Sequence, residues 1–112
     1  MLQVLKIIAC VATIGTGLIA LLKPRSLDGF TGLVAPGPRG VTELRAVMGG
    51  FFIALGAAPL VLGVDETFVM LGIAYLVVAL VRGVSIVVDG SSERSNWISL
   101  FVEIVLGLIL IW

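Results

Sequence analysis

Glu43, Arg82 and Glu103 are ionisable residues set in or at the edge of long apolar runs. A charge near the centre of a bilayer costs about 2.5–3.5 kcal/mol even on the lenient insertion scale. Each such group therefore needs a partner, a water-filled cavity or, for an acid, a proton. Arg82 has the reach to snorkel toward headgroups. The short side chain of Glu103 has little reach and must be satisfied where it stands. Two carboxylates against one guanidinium leave one acid unmatched, available to hold a proton or to meet something cationic. Two carboxylates also suit acid–base chemistry, but nothing else in the sequence supports an enzyme.

Composition removes most other chemistry. The chain has no His, one Cys (Cys10), seven basic and seven acidic residues, and a net charge of zero. Without His there is no Ser–His pair, metal-protease helix or imidazole haem ligand. A single Cys excludes an intrachain disulfide and argues against a zinc site. A neutral balance argues against nucleic acid, which demands an excess of Lys and Arg. The glycine-rich text around residues 13–20 is not a phosphate loop, because no strand precedes it. No enzyme, cofactor or metal is expected.

The elements that must position these residues are apolar helices. Of the 112 residues 60% are hydrophobic and 12% charged, with a mean hydropathy of +1.25. A soluble domain carries roughly 25% charged residues. A spanning helix needs about 20 mostly apolar residues. Four segments approach this, at about 2–22, 42–62, 67–88 and 96–112. The expected fold is an all-α integral membrane four-helix bundle, a single domain over 1–112, with antiparallel up-down topology. The first apolar stretch exceeds a signal-peptide core, and no A-x-A-like site follows before Lys23, so it reads as a span. "KPRSLDGFTGLVAPGPRG" (23–40) is rich in Pro and Gly and interrupts the helices, with a short interfacial turn near 27–33. "GVDE" (63–66) reads as a tight turn, with acids opening the next helix where its dipole favours them. "DGSSERS" (89–95) is a polar turn, with Ser95 or Asn96 as a candidate cap for the last helix.

Loop charges give a direction. The side holding loops 23–41 and 89–95 carries Lys23, Arg25, Arg39 and Arg94, and the other side only Lys6. Basic loops stay cytoplasmic, so both termini are expected on the non-cytoplasmic side.

Helical periodicity gives each span one small or polar stripe. Glu43 aligns with Ala46, Gly50, Ala54, Ala57 and Ala58; Arg82 with Tyr75, Ser85 and Asp89; Glu103 with Asn96, Ser99 and Gly107; Lys6 with Cys10, Thr13 and Gly17. Lipid gives helices no hydrophobic reason to associate, so small residues that admit close backbones do that work. Ala46, Gly49, Gly50, Ala54, Gly17 and Gly107 are the expected packing positions, within the chain or between two copies. Arg82 and Glu103 both lie roughly 9–10 Å below the loop-side boundary at 1.5 Å per residue. With Glu43 somewhat shallower, three charges converge in one half of the membrane. The candidate ligand-binding set is Glu43, Arg82 and Glu103, with Tyr75 and Ser99 nearby.

Each reading has a plainer competitor. Arg82 and Glu103 also make sense as a structural ion pair fixing helix register. Glu43 also suits a helix start. Arg45, Lys23, Arg25 and Arg39 are headgroup contacts. Tyr75 suits ordinary packing, Cys10 acts as a small apolar residue, and Lys6 snorkels.

Taken together, "ELRAVMGG" (43–50), "RGVSIVVDG" (82–90) and the pairing of Glu103 with Gly107 resemble the small bacterial membrane proteins grouped as the domain-of-unknown-function 4345 family. The matching positions are Glu43, Arg45, Gly49, Gly50, Arg82, Asp89, Gly90 and Glu103. Met48 stands where that pattern has an aromatic residue. The resemblance implies a four-helix protein of the bacterial inner membrane with no assigned activity. More distantly, the layout is similar to DoxX-like four-helix membrane proteins. Two functions follow as expectations. The first is a polar intramembrane pocket that binds or passes a small polar or amphipathic molecule. The second is a structural or accessory subunit of a homodimer or larger membrane complex, its lipid bilayer the only other partner.

Overall fold

The computed structural model describes all 112 residues. The chain is all-α, with no strands. Its helices are α1 (Leu2–Leu22), a short α2 (Asp28–Thr31) behind a 3-10 turn (Pro24–Leu27), α3 (Pro38–Leu62), α4 (Asp65–Val88) and α5 (Arg94–Ile111). Four of these, α1, α3, α4 and α5, are long and apolar enough to cross a membrane. By internal contacts the chain falls into two units, Ile7–Gly63 and Val64–Trp112 with Met1–Lys6.

The helix ends follow local chemistry. Gly63 closes α3 in the left-handed region (φ 65°), its N–H bonded to the Pro59 carbonyl. Asp65 and Glu66 then open α4 at the positive end of its dipole. Gly90 (φ 65°) makes the turn after α4. The left-handed conformation at these positions is cheap only for glycine. The last helix starts at Arg94, with Glu93 as its flanking residue and no side-chain cap. The capping role expected of Ser95 or Asn96 is not used, because the helix begins before them.

Two departures concern α3. Pro38 sits in the first turn, where its missing N–H costs nothing. The helix therefore begins four residues earlier than the apolar run alone suggests. In addition, Leu44–Phe51 is π-helical. Such turns bond i→i+5 instead of i→i+4. Each extra residue rotates the following side chains by about 100° relative to an unbroken α-helix.

In the unit Ile7–Gly63, α1 and α3 run antiparallel with backbones in close contact. A Cβ added at Gly17 would lie 2.6 Å from the Gly49 carbonyl oxygen and 2.8 Å from the Ile53 nitrogen. One at Gly56 would lie 2.6 Å from the Cys10 carbonyl oxygen, and one at Gly49 3.0 Å from the Leu21 nitrogen. The packing stripe of α3 is thus Gly49, Ile53 and Gly56. Ala46, Gly50 and Ala54, expected from α-helical periodicity on the packing face, are exposed. Those three stay together on one face of α3, and the face that meets α1 is the one carrying Gly49, Ile53 and Gly56.

The other unit is built on a second antiparallel pair, α4 with α5. Its tightest crossing is also glycine on glycine. A Cβ at Gly72 would meet the Gly107 carbonyl oxygen at 3.0 Å, and one at Gly107 the Gly72 carbonyl oxygen at 3.1 Å. Leu76, Leu110 and Ile111 close around them. At the start of α4, the Lys6 ammonium lies 6.0 Å from the Phe68 ring centroid, with both residues buried. That distance is within reach of a cation–π attraction. The outward faces of the long helices carry Val, Leu, Ile and Phe, among them Val11, Ile19, Val61, Leu80, Val87 and Phe101. Apolar surface on this scale suits hydrocarbon and not water.

Candidate functional site

The polar core of the α4–α5 pair is assembled by antiparallel register. Descending from the 89–95 turn, α4 presents Arg82 and α5 presents Glu103 at matching depth. Arg82 Nε donates to Glu103 Oε1 at 2.8 Å, and Arg82 Nη2 donates to Glu103 Oε2 at 2.7 Å. This is the bidentate fork geometry that makes Arg–carboxylate pairs strong and directional. Arg82 Nη1 donates to Asn96 Oδ1 at 2.8 Å. Asn96 in turn donates through Nδ2 to the Ser91 carbonyl oxygen at 2.8 Å and to Ser91 Oγ at 3.1 Å. The turn between the helices is thereby tied to the ion pair.

One turn beyond Arg82, Ser85 Oγ donates to Asp89 Oδ2 at 2.5 Å. Thus a second carboxylate flanks the network at its open end. The two halves of the ion pair differ in access. The Arg82 side chain is 32% exposed, whereas Glu103 is 11% exposed. Donor arithmetic is informative. A guanidinium has five N–H groups, and three of those on Arg82 are engaged. The other two have no partner in the chain. Arg82 also lines an open groove of about 360 Å³, together with Val77, Val78, Val81, Ser85 and Asn96.

The remaining expected residues distribute as follows. Glu43 accepts from Arg39 Nη1 one helical turn earlier, and both are exposed. The early start of α3 at Pro38 explains this, because it puts Arg39 on the same helical face at i−4. Glu43 therefore has its own cation and is not the unmatched buried acid the sequence suggested. Arg39 correspondingly has a carboxylate partner in place of a purely headgroup role. Tyr75 and Ser99 lie on α4 and α5 at intermediate exposure. Gly17, Gly49 and Gly107 make the close approaches described above, while Ala46, Gly50 and Ala54 do not.

Asn96 was missing from the candidate set although it is two turns from Glu103 on the same face. Its amide carries no charge, so a search for ionisable groups passes over it. The same holds for Ser85, while Asp89, although ionisable, stands at the helix end and not within the apolar run. The usable signal was their alignment with Arg82 and Glu103 at helical spacing.

No curated protein and no solved structure matches the chain. The family described as a domain of unknown function, DUF4345, matches residues 1–112, the whole length. The chain, with its four apolar helices and its Arg82–Glu103 network, belongs to that family.

Proposed function

We propose that this is a small multi-pass membrane protein that holds a small polar or amphipathic molecule at the Arg82 network. The observation that carries this reading is the guanidinium itself. It is fixed by Glu103 and Asn96, keeps two N–H groups unengaged, and lines a groove whose other walls are Val77, Val78, Val81, Ser85 and Asn96. A donor held rigid in an apolar setting binds a complementary acceptor at little reorganisation cost. A bacterial inner-membrane setting, with the termini on the non-cytoplasmic side, fits the basic loops.

The test is Glu103→Gln. The amide keeps the shape and one acceptor, so the helices stay folded, but the fork that aims Arg82 is lost. Native mass spectrometry of protein extracted in mild detergent is expected to show a retained small molecule on the wild type and none on the variant. Equal retention on both would remove Arg82 and Glu103 from the site.

A second reading has its own observation. Ala46, Gly50 and Ala54 form an exposed strip of small residues on α3, of the kind that brings membrane helices together. In that reading the protein is an accessory subunit or a homodimer, and the ion pair only fixes register. It is supported if a defined polypeptide, or a second copy, co-purifies with the wild type and is lost on Gly50→Leu.

A further inference from the structure

We propose that the ligand of the Arg82 groove is a neutral amphiphile whose polar end is a hydroxyl or carbonyl, in preference to a fatty carboxylate, a phosphate or an amine. This inference rests on the binding reading above and adds the chemical class. It is carried by charge and hydrogen-bond complementarity within the α4–α5 pair.

Consider charge first. The only cation of the groove, Arg82, is already matched by Glu103 in a bidentate pair. A second carboxylate, Asp89, is held one turn away by Ser85 at the open end. The one cation of the groove thus has its carboxylate already, and a further carboxylate stands beyond Ser85 at the end of α4. An incoming anion would compete with Glu103 for a single guanidinium in a low-dielectric setting and meet Asp89 on the way. Like charges sharing one site are strongly disfavoured there.

Hydrogen-bond capacity is the second consideration. Among the residues lining the groove, Arg82 has two N–H groups left over from its bonds to Glu103 and Asn96. An ammonium has donors only and no acceptor to meet them. A carbonyl or hydroxyl oxygen accepts them without bringing charge. Ser85 Oγ spends its hydrogen on Asp89, so its lone pairs remain to accept from a ligand hydroxyl. The Asn96 amide nitrogen donates to Ser91, which leaves Arg82 and Ser85 to read the headgroup. The apolar remainder of the ligand is accounted for by Val77, Val78 and Val81, which lead away from Arg82 along α4.

The experiment uses three photoreactive probes of one chain length: a diazirine-bearing hexadecanol, hexadecanoic acid and hexadecylamine. Full-length protein is reconstituted in nanodiscs of zwitterionic lipid, cross-linked and mapped by mass spectrometry. Labelling of residues 77–85 is divided by labelling around Val11, an exposed apolar position on α1, which corrects for partitioning. The expected ratio for the alcohol exceeds that for the acid and the amine by about tenfold, the equivalent of 1.4 kcal/mol. Val81→Trp, which fills the lane without touching the ion pair, is expected to bring the alcohol's ratio down to the bulk-lipid level. A higher ratio for the acid or the amine, abolished by Val81→Trp, overturns the neutral class and leaves the binding reading standing. Equal ratios near unity for all three probes, unchanged in Val81→Trp, mean bulk lipid only and overturn both.

Discussion

The two helix pairs of this chain solve the same problem differently. Between α1 and α3, glycines bring the backbones together. Gly17 and Gly56 let the Gly49 and Cys10 carbonyl oxygens approach to distances that any Cβ would block, with the Ile53 and Ile14 side chains beside them. Between α4 and α5 there is one such crossing, at Gly72 and Gly107, and above it a hydrogen-bonded chain from Glu103 through Arg82 and Asn96 to Ser91. Hydrocarbon supplies no hydrophobic drive for helix association, so packing and polar bonds remain. The second pair adds a charged network, which carries a cost in desolvation. A network of that kind, whose Arg82 lines a groove, is where function is best sought.

The comparison breaks most visibly at Arg82. Arg82→Ala leaves Glu103 buried and unpaired, which costs about 3–5 kcal/mol for a fully buried pair and the lower end of that here, because Arg82 is partly exposed. Glu103→Ala is expected to cost less, since Arg82 can then snorkel toward the interface. Unfolding of each variant in mixed detergent micelles measures both. Equal losses would show that the two charges have the same access to water.

Gly17→Ala and Gly56→Ala probe the packed pair. Each places a methyl group against backbone, which has no flexible end to move aside. Overpacking of this kind costs about 1–3 kcal/mol, read in the same unfolding assay. Gly15, on the same helix with nothing within 4 Å of a new Cβ, sharpens the contrast. Gly15→Ala is expected to stabilise by about 0.5–1 kcal/mol through helix propensity. Destabilisation there would mean that glycine serves α1 for some reason other than contact with α3.

The smallest effect is expected at Glu43. Its pair with Arg39 is exposed on one helix face, and such pairs contribute about 0.3–0.5 kcal/mol. Glu43→Gln should therefore leave both stability and ligand retention nearly unchanged. Loss of ligand in that variant would return Glu43 to the site.

Much of this was legible in the sequence, and the failures have physical causes. Apolar run length located the four helices that are long and apolar enough to cross a membrane, because hydrocarbon thickness sets the length to look for. Depth counting from Asp89 and Trp97 put Arg82 and Glu103 at one level, and the structure joins them by two hydrogen bonds. That count worked because α4 and the first half of α5 are regular. On α3 the count put Ala46, Gly50 and Ala54 on one stripe, and they do share a face, but α1 packs on the neighbouring face with Gly49 and Gly56, a choice that periodicity alone does not make. Pro38 did signal an earlier helix start, and with it the Arg39–Glu43 pair, but hydropathy hides a polar first turn. Asn96 and Ser85 were aligned with the charged residues all along. Their roles depend on hydrogen bonds whose direction only coordinates supply.

The most direct test is a double-mutant cycle on the α4–α5 pair, with Arg82→Met, Glu103→Leu and the double variant unfolded under identical conditions. If the two side chains are bonded to each other, the double variant recovers most of the stability lost in the singles, with a coupling of about 2 kcal/mol or more, because an apolar pair leaves no buried charge unmatched. Losses that add to within about 0.5 kcal/mol would mean that Arg82 and Glu103 do not meet, contradicting the bidentate pair on which the groove depends.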